Sequence, residues 1–324
     1  MYYNRTLSGS FSKLLEPNGS LRWLFDYVKN NPELDFLIGK NNAKEWISVY
    51  RGLSRVITIL KTGNPEIVKL DGADAYKQIA NNLYGNRKIS DNFCDELNRL
   101  VKDVSADLRF DRYFNNKKEG YFQNELSRKF GICGKPEDDF VIVDKEAVIS
   151  YDDMQEKEYK FGKIRSVYKK LQGELSRSNA KRFGKNLAEK AIGNELDFLA
   201  LDRQGNLLLI EYKHGTSTAG IYLSPLQIGM YYDLFSQLSR TELEKSVSEM
   251  IEQRKRIGLI NSSWEMPEIK DVVPVLIISE YNVRSSAKIK YHEVMDFVRA
   301  KKGRSFLANI KTYNYTTEAG LNPW

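Results

Sequence analysis

The sequence predicts an α/β fold, and three observations carry the prediction. Short β-rich runs stand at residues 140–143, 195–201, 206–213 and 272–279, the middle two joined by a turn and the others set apart by helix-forming stretches. Over residues 114–280 this gives the order helix, strand, helical insertion, strand, strand, helix, strand, which is an α/β plan. The composition is 41% hydrophobic and 29% charged with 8 prolines, which excludes disordered and fibrous classes. At 324 residues the chain is long enough for two domains, or for one core with a large appendage.

In chain order, residues 21–28 and 74–83 have helical patterning, and 46–50 and 56–60 read as strands. Thr62, Gly63, Asn64 and Pro65 then turn the chain into an extended piece at 66–70. These elements define an N-terminal α+β region, residues 1–112, whose role the sequence does not reveal. The second domain is expected at 113–324. It opens with a helix over 114–130 that Gly131 stops, followed by the strand at 140–143. A basic helical insertion occupies 151–190, with Gly173 and Gly184 as interruptions. Asp202 to Gly205 form a hairpin connection between the two β-rich runs that follow. Helices are expected at 223–240, with Pro225 in the first turn, and at 241–256. Pro274 places the strand at 272–279 on an edge or at a bulge. A last helix, 291–301, precedes a polar tail.

The net charge of +7 is concentrated. Between residues 156 and 190 stand Lys157, Lys160, Lys163, Arg165, Lys169, Lys170, Arg177, Lys181, Arg182, Lys185 and Lys190, against Glu156, Glu158, Glu174 and Glu189. Eleven bases against four acids account for the whole excess. Such a run is either a solvated helical face or a phosphate-contacting patch, with Lys181 and Arg182 as candidate contacts. The chain has two cysteines, Cys94 and Cys133, and two histidines, His214 and His292, so a Cys/His zinc site is excluded. Any metal must be held by carboxylates, which suits Mg2+ or Mn2+. No apolar run reaches the roughly 18 residues of a membrane span, and the N-terminus lacks a secretory signal, so a cytoplasmic protein without a membrane partner is expected.

Chemistry concentrates in the hairpin. Alternation along a strand puts Leu207, Leu209, Glu211 and Lys213 on one face. On the neighbouring strand Asp197 sits between Leu196 and Phe198, which must point the other way, and an acid in such a run is costly unless compensated. Asp197 and Glu211 can meet across the hairpin with Lys213 one step further out. Two carboxylates drawn together repel, and a divalent cation is the natural compensation. A bound cation lowers the pKa of its water and polarises a phosphate oxygen, while a lysine neutralises developing charge. As structure alone, Asp197 would be a turn residue after Gly193 and Asn194. Glu211 and Lys213 would then be a surface ion pair contributing about 0.2–1 kcal/mol.

The run from Asp197 to Lys213, ending in Glu211-Tyr212-Lys213, resembles the PD-(D/E)xK nuclease superfamily, without the leading proline. The resemblance implies a restriction-endonuclease-like α-β-β-β-α-β core. It also implies Mg2+- or Mn2+-dependent hydrolysis of DNA, in restriction, repair or phage defence, with Asp197, Glu211 and Lys213 as catalytic residues. Gln227 and Tyr231 are similar to the QxxxY motif of its recombination-exonuclease branch, and four residues apart they share a helix face. The substrate-binding role is carried to Gln227, since Tyr231 reads more readily as core. The superfamily commonly adds an acid from the first core helix. Glu119 and Glu125 both qualify, Glu119 being favoured as a metal ligand by its distance to Gly131, and Glu146 is a third candidate. His214 points away from the site and is a poor general base. Two other readings stay open, a metal-independent nucleic-acid-binding module and a protein-interaction module using the basic helices.

Overall fold

The computed structural model describes residues 1–72, 74–77, 84–106, 116–178, 180–183, 187, 190–301 and 309–324. The chain is mixed α/β with two sheets and divides into two compact units. One unit holds residues 4–144 and 245–266; the other holds 1–3, 145–244 and 267–324. The expected boundary at 112/113 falls outside the described residues. The observed cuts lie after Tyr3, Asp144, Glu244 and Met266.

The first unit is built on an antiparallel meander. Helix α1 (Arg22–Asn30) precedes β1 (Asp35–Lys40), β2 (Glu45–Arg51), β3 (Ser54–Lys61), β4 (Ile67–Asp71) and β5 (Gly85–Lys88), paired in that order. Helices α2 (Asp91–Ala106) and α3 (Glu119–Lys129) follow. The strands expected at 46–50 and 56–60 are β2 and β3, each slightly longer. Of the helix expected at 74–83, Asp74–Lys77 is helical and residues 78–83 lie outside the described residues, as do 114 and 115 before α3. Leu24, Phe25 and Val28 of α1 are fully buried in one apolar cluster with Phe36, Ile47, Ile59 and Leu97. Buried Arg128 ties the unit together, donating to the carbonyls of Val28 (2.8 Å), Lys29 (2.8 Å) and Leu34. The Val28 carbonyl also accepts from the Asn31 amide (3.2 Å), while those of Lys29 and Leu34 lie at and beyond the end of α1, where intrahelical partners run out.

The second unit carries the other sheet. Its elements are the end of β6 (Phe140–Ala147), α4 (Lys163–Ser178), β7 (Leu196–Asp202), β8 (Asn206–His214), α5 (Thr218–Phe235) and the start of α6 (Arg240–Ile257). Then come β9 (Asp271–Ser279), α7 (Ala287–Arg299), β10 (Lys311–Thr316) and β11 (Gly320–Pro323). The unit boundaries cut through β6 and α6. The strand order is β11-β10-β9-β8-β7-β6, with β8 parallel to β9, β9 parallel to β10, and β7 antiparallel to β8.

Four expectations are corrected here. Strand β9 is interior rather than at an edge, lying between β8 and β10. Its ladder to β10 begins only at Val275, so Pro274 sits where one side of the strand has no register partner. Pro225 is inside α5, which starts at Thr218, and so is not in its first turn. A proline there removes the bond to the Ile221 carbonyl, but the Ser224 hydroxyl donates to that same oxygen at 2.7 Å. Gly173 does not interrupt α4, which runs through it; Gly184 lies outside the described residues. The polar tail is not a tail, because Tyr313 and Tyr315 belong to β10 and Tyr315 is buried. Its period-two pattern, with alternating tyrosines, carried the signal.

The hairpin turn is as expected. Asp202 Oδ1 accepts from the amides of Gln204 (3.0 Å) and Asn206 (2.7 Å), and Gly205 adopts φ +87°. That is a three-residue loop with glycine in the left-handed position. A Cβ at Gly205 would also lie 2.0 Å from the Glu268 carbonyl oxygen. Gly205→Ala is therefore expected to lower stability by about 1–3 kcal/mol, read as a lower urea midpoint at unchanged slope.

Candidate active site

The β7–β8 ladder runs from Leu201↔Leu207 to Phe198↔Ile210. One residue further, Asp197 and Glu211 stand opposite each other on one face, as alternation requires. Strand β8 meanwhile stays paired with β9 as far as His214↔Ser279. The amide of Tyr212 is therefore received by the Asp197 carboxylate, at 2.7 Å, where the ladder to β7 has ended. A side chain substitutes for the missing strand, and this holds Asp197 at the mouth of the opening.

Lys213 lies beside both acids. Its Nζ donates to Glu211 Oε1 and stands 3.9 Å from Asp197 Oδ2. Glu211 is fully buried (0% exposed), whereas Asp197 keeps 21% of its side-chain surface. The two carboxylates thus differ in setting: one is inside the sheet layer and the other opens toward solvent. Gly220, in the first turn of α5, makes room for the lysine stem, since a Cβ there would come within 3.0 Å of Lys213 Cδ. The other face of β8 is structural. Tyr212 is fully buried with its ring edge-on to Phe198 (centroids 6.4 Å apart), and His214 is buried with Nδ1 2.8 Å from the Thr216 hydroxyl.

Helix α5 brings a residue to the site that sequence reasoning assigned to the core. Tyr231 is buried, and its hydroxyl donates to the carbonyl of Glu195, two residues before Asp197. Burial, and next the charge of Glu211, push the Tyr231 phenol well above its usual range, so it remains a donor. Gln227 lies one turn earlier on the same face of the helix. A Cβ at Gly193 would meet Gln227 Nε2 at 2.4 Å and Tyr231 Oη at 3.2 Å. The pair therefore braces the segment that delivers Asp197. The four-residue spacing was the available signal.

The remaining candidates divide. Arg182 is held by Glu293 in a forked ion pair, with its Nη2 at 2.7 Å from Oε1, while Lys181 is exposed. Lys185 and Glu189 lie outside the described residues. Glu146 in β6 is half-buried and adopts φ +49°. Glu119 and Glu125 are on α3, in the meander-bearing unit, whereas Asp197, Glu211 and Lys213 belong to the hairpin-bearing unit. Among the described residues no group of three or more His, Cys, Asp or Glu side chains is arranged to hold a metal ion. The chain matches no protein-family model, no curated protein and no solved structure.

A buried carboxylate depends on its cation. Lys213→Met is expected to destabilise the chain by about 3–5 kcal/mol, because Glu211 loses its nearest positive charge. The double variant Glu211→Gln with Lys213→Met should recover most of that loss. Chemical denaturation of the four proteins of the cycle checks both, and additive losses would disprove the coupling.

Proposed function

We propose that this chain is a metal-dependent nuclease of the PD-(D/E)xK class that hydrolyses phosphodiester bonds of DNA. The observation that carries the reading is the convergence of Asp197, Glu211 and Lys213 where the β7–β8 ladder ends. Within the hairpin-bearing unit the order β7, β8, α5, β9, with β7 antiparallel and β9 parallel to β8, supports a restriction-endonuclease-like core.

The donor set fits a hard divalent ion. Asp197 and Glu211 offer carboxylate oxygens on one face, and Mg2+ is commonly bound through one or two carboxylates with the rest of its shell left to water and substrate phosphate. When bound, Mg2+ or Mn2+ supplies a water of lowered pKa and polarises the phosphate. The protein supplies the rest. Asp197, at the opening, and Glu211, beneath it, would hold the ion. Lys213 places a positive charge beside both carboxylates, where it can neutralise negative charge developing on phosphorus oxygens. Gln227 and Tyr231 keep the Asp197 segment in position, and Gln227 remains the candidate substrate contact. Exposed Lys163, Lys170, Arg177 and Lys181 offer solvent-facing charge to the DNA backbone, whereas Arg182 offers less because Glu293 neutralises it.

The test is cleavage of plasmid and linear DNA by the purified chain with Mg2+, with Mn2+ and with EDTA. Metal-dependent cleavage is expected, reduced on the order of a hundredfold or more by Asp197→Asn and by Glu211→Gln, with unfolding midpoints showing both variants folded. Salt-sensitive DNA binding without cleavage under any metal would overturn the enzyme and favour a binding module. Binding to protein alone would favour an interaction module.

A further inference from the structure

Beside the carboxylate site, the hairpin-bearing unit holds a cleft of about 470 Å3. Its lining includes Tyr151, Lys157, Phe161, Arg165, Tyr231 and Phe235. Tyr231 is the shared wall: it lines the cleft and also binds the Glu195 carbonyl. Glu195 and Asn194 complete that side, and from Glu195 to Asp197 the chain covers at most about 7 Å. One wall of the cleft therefore lies within about one nucleotide's length of Asp197.

Its lining joins aromatic rings to two cations, Lys157 and Arg165, and two acids, Glu158 and Glu195, which suits a planar aromatic group whose phosphates reach the cations. Val148 and Met154 on its wall are 41% and 65% exposed, apolar surface that no neighbour covers fully. Phe161 lies in a single π-helical turn, Glu158–Gly162, between the short helix Met154–Lys157 and α4. Such turns are uncommon and collect at functional sites because they re-aim side chains. The Arg165 guanidinium sits 5.8 Å from the Phe161 ring centroid, and Lys163 sits 5.8 Å from that of Tyr159, which is 70% exposed. Cations interleaved with aromatic rings are the arrangement by which proteins track a single strand, stacking bases while holding phosphates. The volume lies in the range of small-ligand pockets and is far too confined for a duplex.

We propose that this cleft receives an unstacked nucleotide next to the cleaved bond, so that the substrate is single-stranded DNA or the frayed end of a duplex. This rests on the nuclease reading and narrows its substrate. A base stacked within a duplex presents only its edges, so it cannot enter until it is unpaired. Phe161 supplies the stacking surface, and Lys157 and Arg165 meet the flanking phosphates.

The test measures binding apart from chemistry. In EDTA, fluorescence anisotropy of labelled oligothymidylate is compared with that of a blunt oligo(dT)·oligo(dA) duplex of equal length, using the full chain. The single strand is expected to bind roughly tenfold more tightly. Phe161→Ala should remove roughly tenfold of single-strand affinity, with little change for the duplex. Met154→Trp, which fills the cleft from its exposed rim without removing a buried group, should do the same. In Mg2+, both variants should raise KM for the single strand more than they lower kcat. Equal affinity for the two DNAs, or wild-type single-strand binding by both variants, overturns the cleft assignment. If metal-dependent cleavage persists in that case, the nuclease reading stands without it. A clear single-strand preference in a protein that cleaves nothing with any metal overturns the nuclease reading instead.

Discussion

The site depends on where one antiparallel ladder stops. Strands β7 and β8 part after Phe198↔Ile210, while β8 remains paired on its other side to β9. An edge opened inside a sheet leaves backbone amides to be satisfied, and Asp197 does this for Tyr212 through its carboxylate. The bond that repairs the sheet is thus the bond that positions an acid. Glu211, fully buried on the same face, is tolerable only with a cation alongside, and Lys213 provides one. Structure and chemistry draw on the same three groups.

Helix α5 supports this arrangement through a compensated defect. A proline within a helix costs a hydrogen bond and invites a kink. Here Ser224 satisfies the oxygen that Pro225 leaves behind, and α5 continues to Phe235. The next turns carry Gln227 and Tyr231 against Gly193 and Glu195. Tyr231 then faces two ways, bracing the chain before Asp197 and closing one side of the cleft. The basic segment divides similarly by face. Ile164, Tyr168, Leu171 and Leu175 of α4 are buried at helical spacing, so Lys163, Lys170 and Arg177 are left toward solvent.

Much of this was legible beforehand because it is local. Period-two alternation alone put Glu211 and Lys213 on one face, and Asp202 with Gly205 announced the turn that sets the register bringing Asp197 opposite Glu211. Helical spacing paired Gln227 with Tyr231. Less legible were features that turn on how elements begin and end. Pro225 pointed to a helix start and Pro274 to an edge, yet each lies further inside its element, because a neighbour relieves the lost N–H in one case and the end of a ladder does so in the other. The strands β10 and β11 escaped notice because their residues are mostly polar, so the alternating tyrosines of β10 were the one local sign of a strand.

By itself, then, the sequence determined which side chains share a face and which turn joins the two chemical strands, since these follow from the fixed geometry of consecutive residues. Tertiary structure alone decided that Glu211 is buried, that Tyr231 reaches Glu195 and that Arg182 is claimed by Glu293. It also decided that Glu119 belongs to the unit of the five-stranded meander. The reason is common to all four: burial and pairing are set by groups distant along the chain, and no periodicity of neighbours records them.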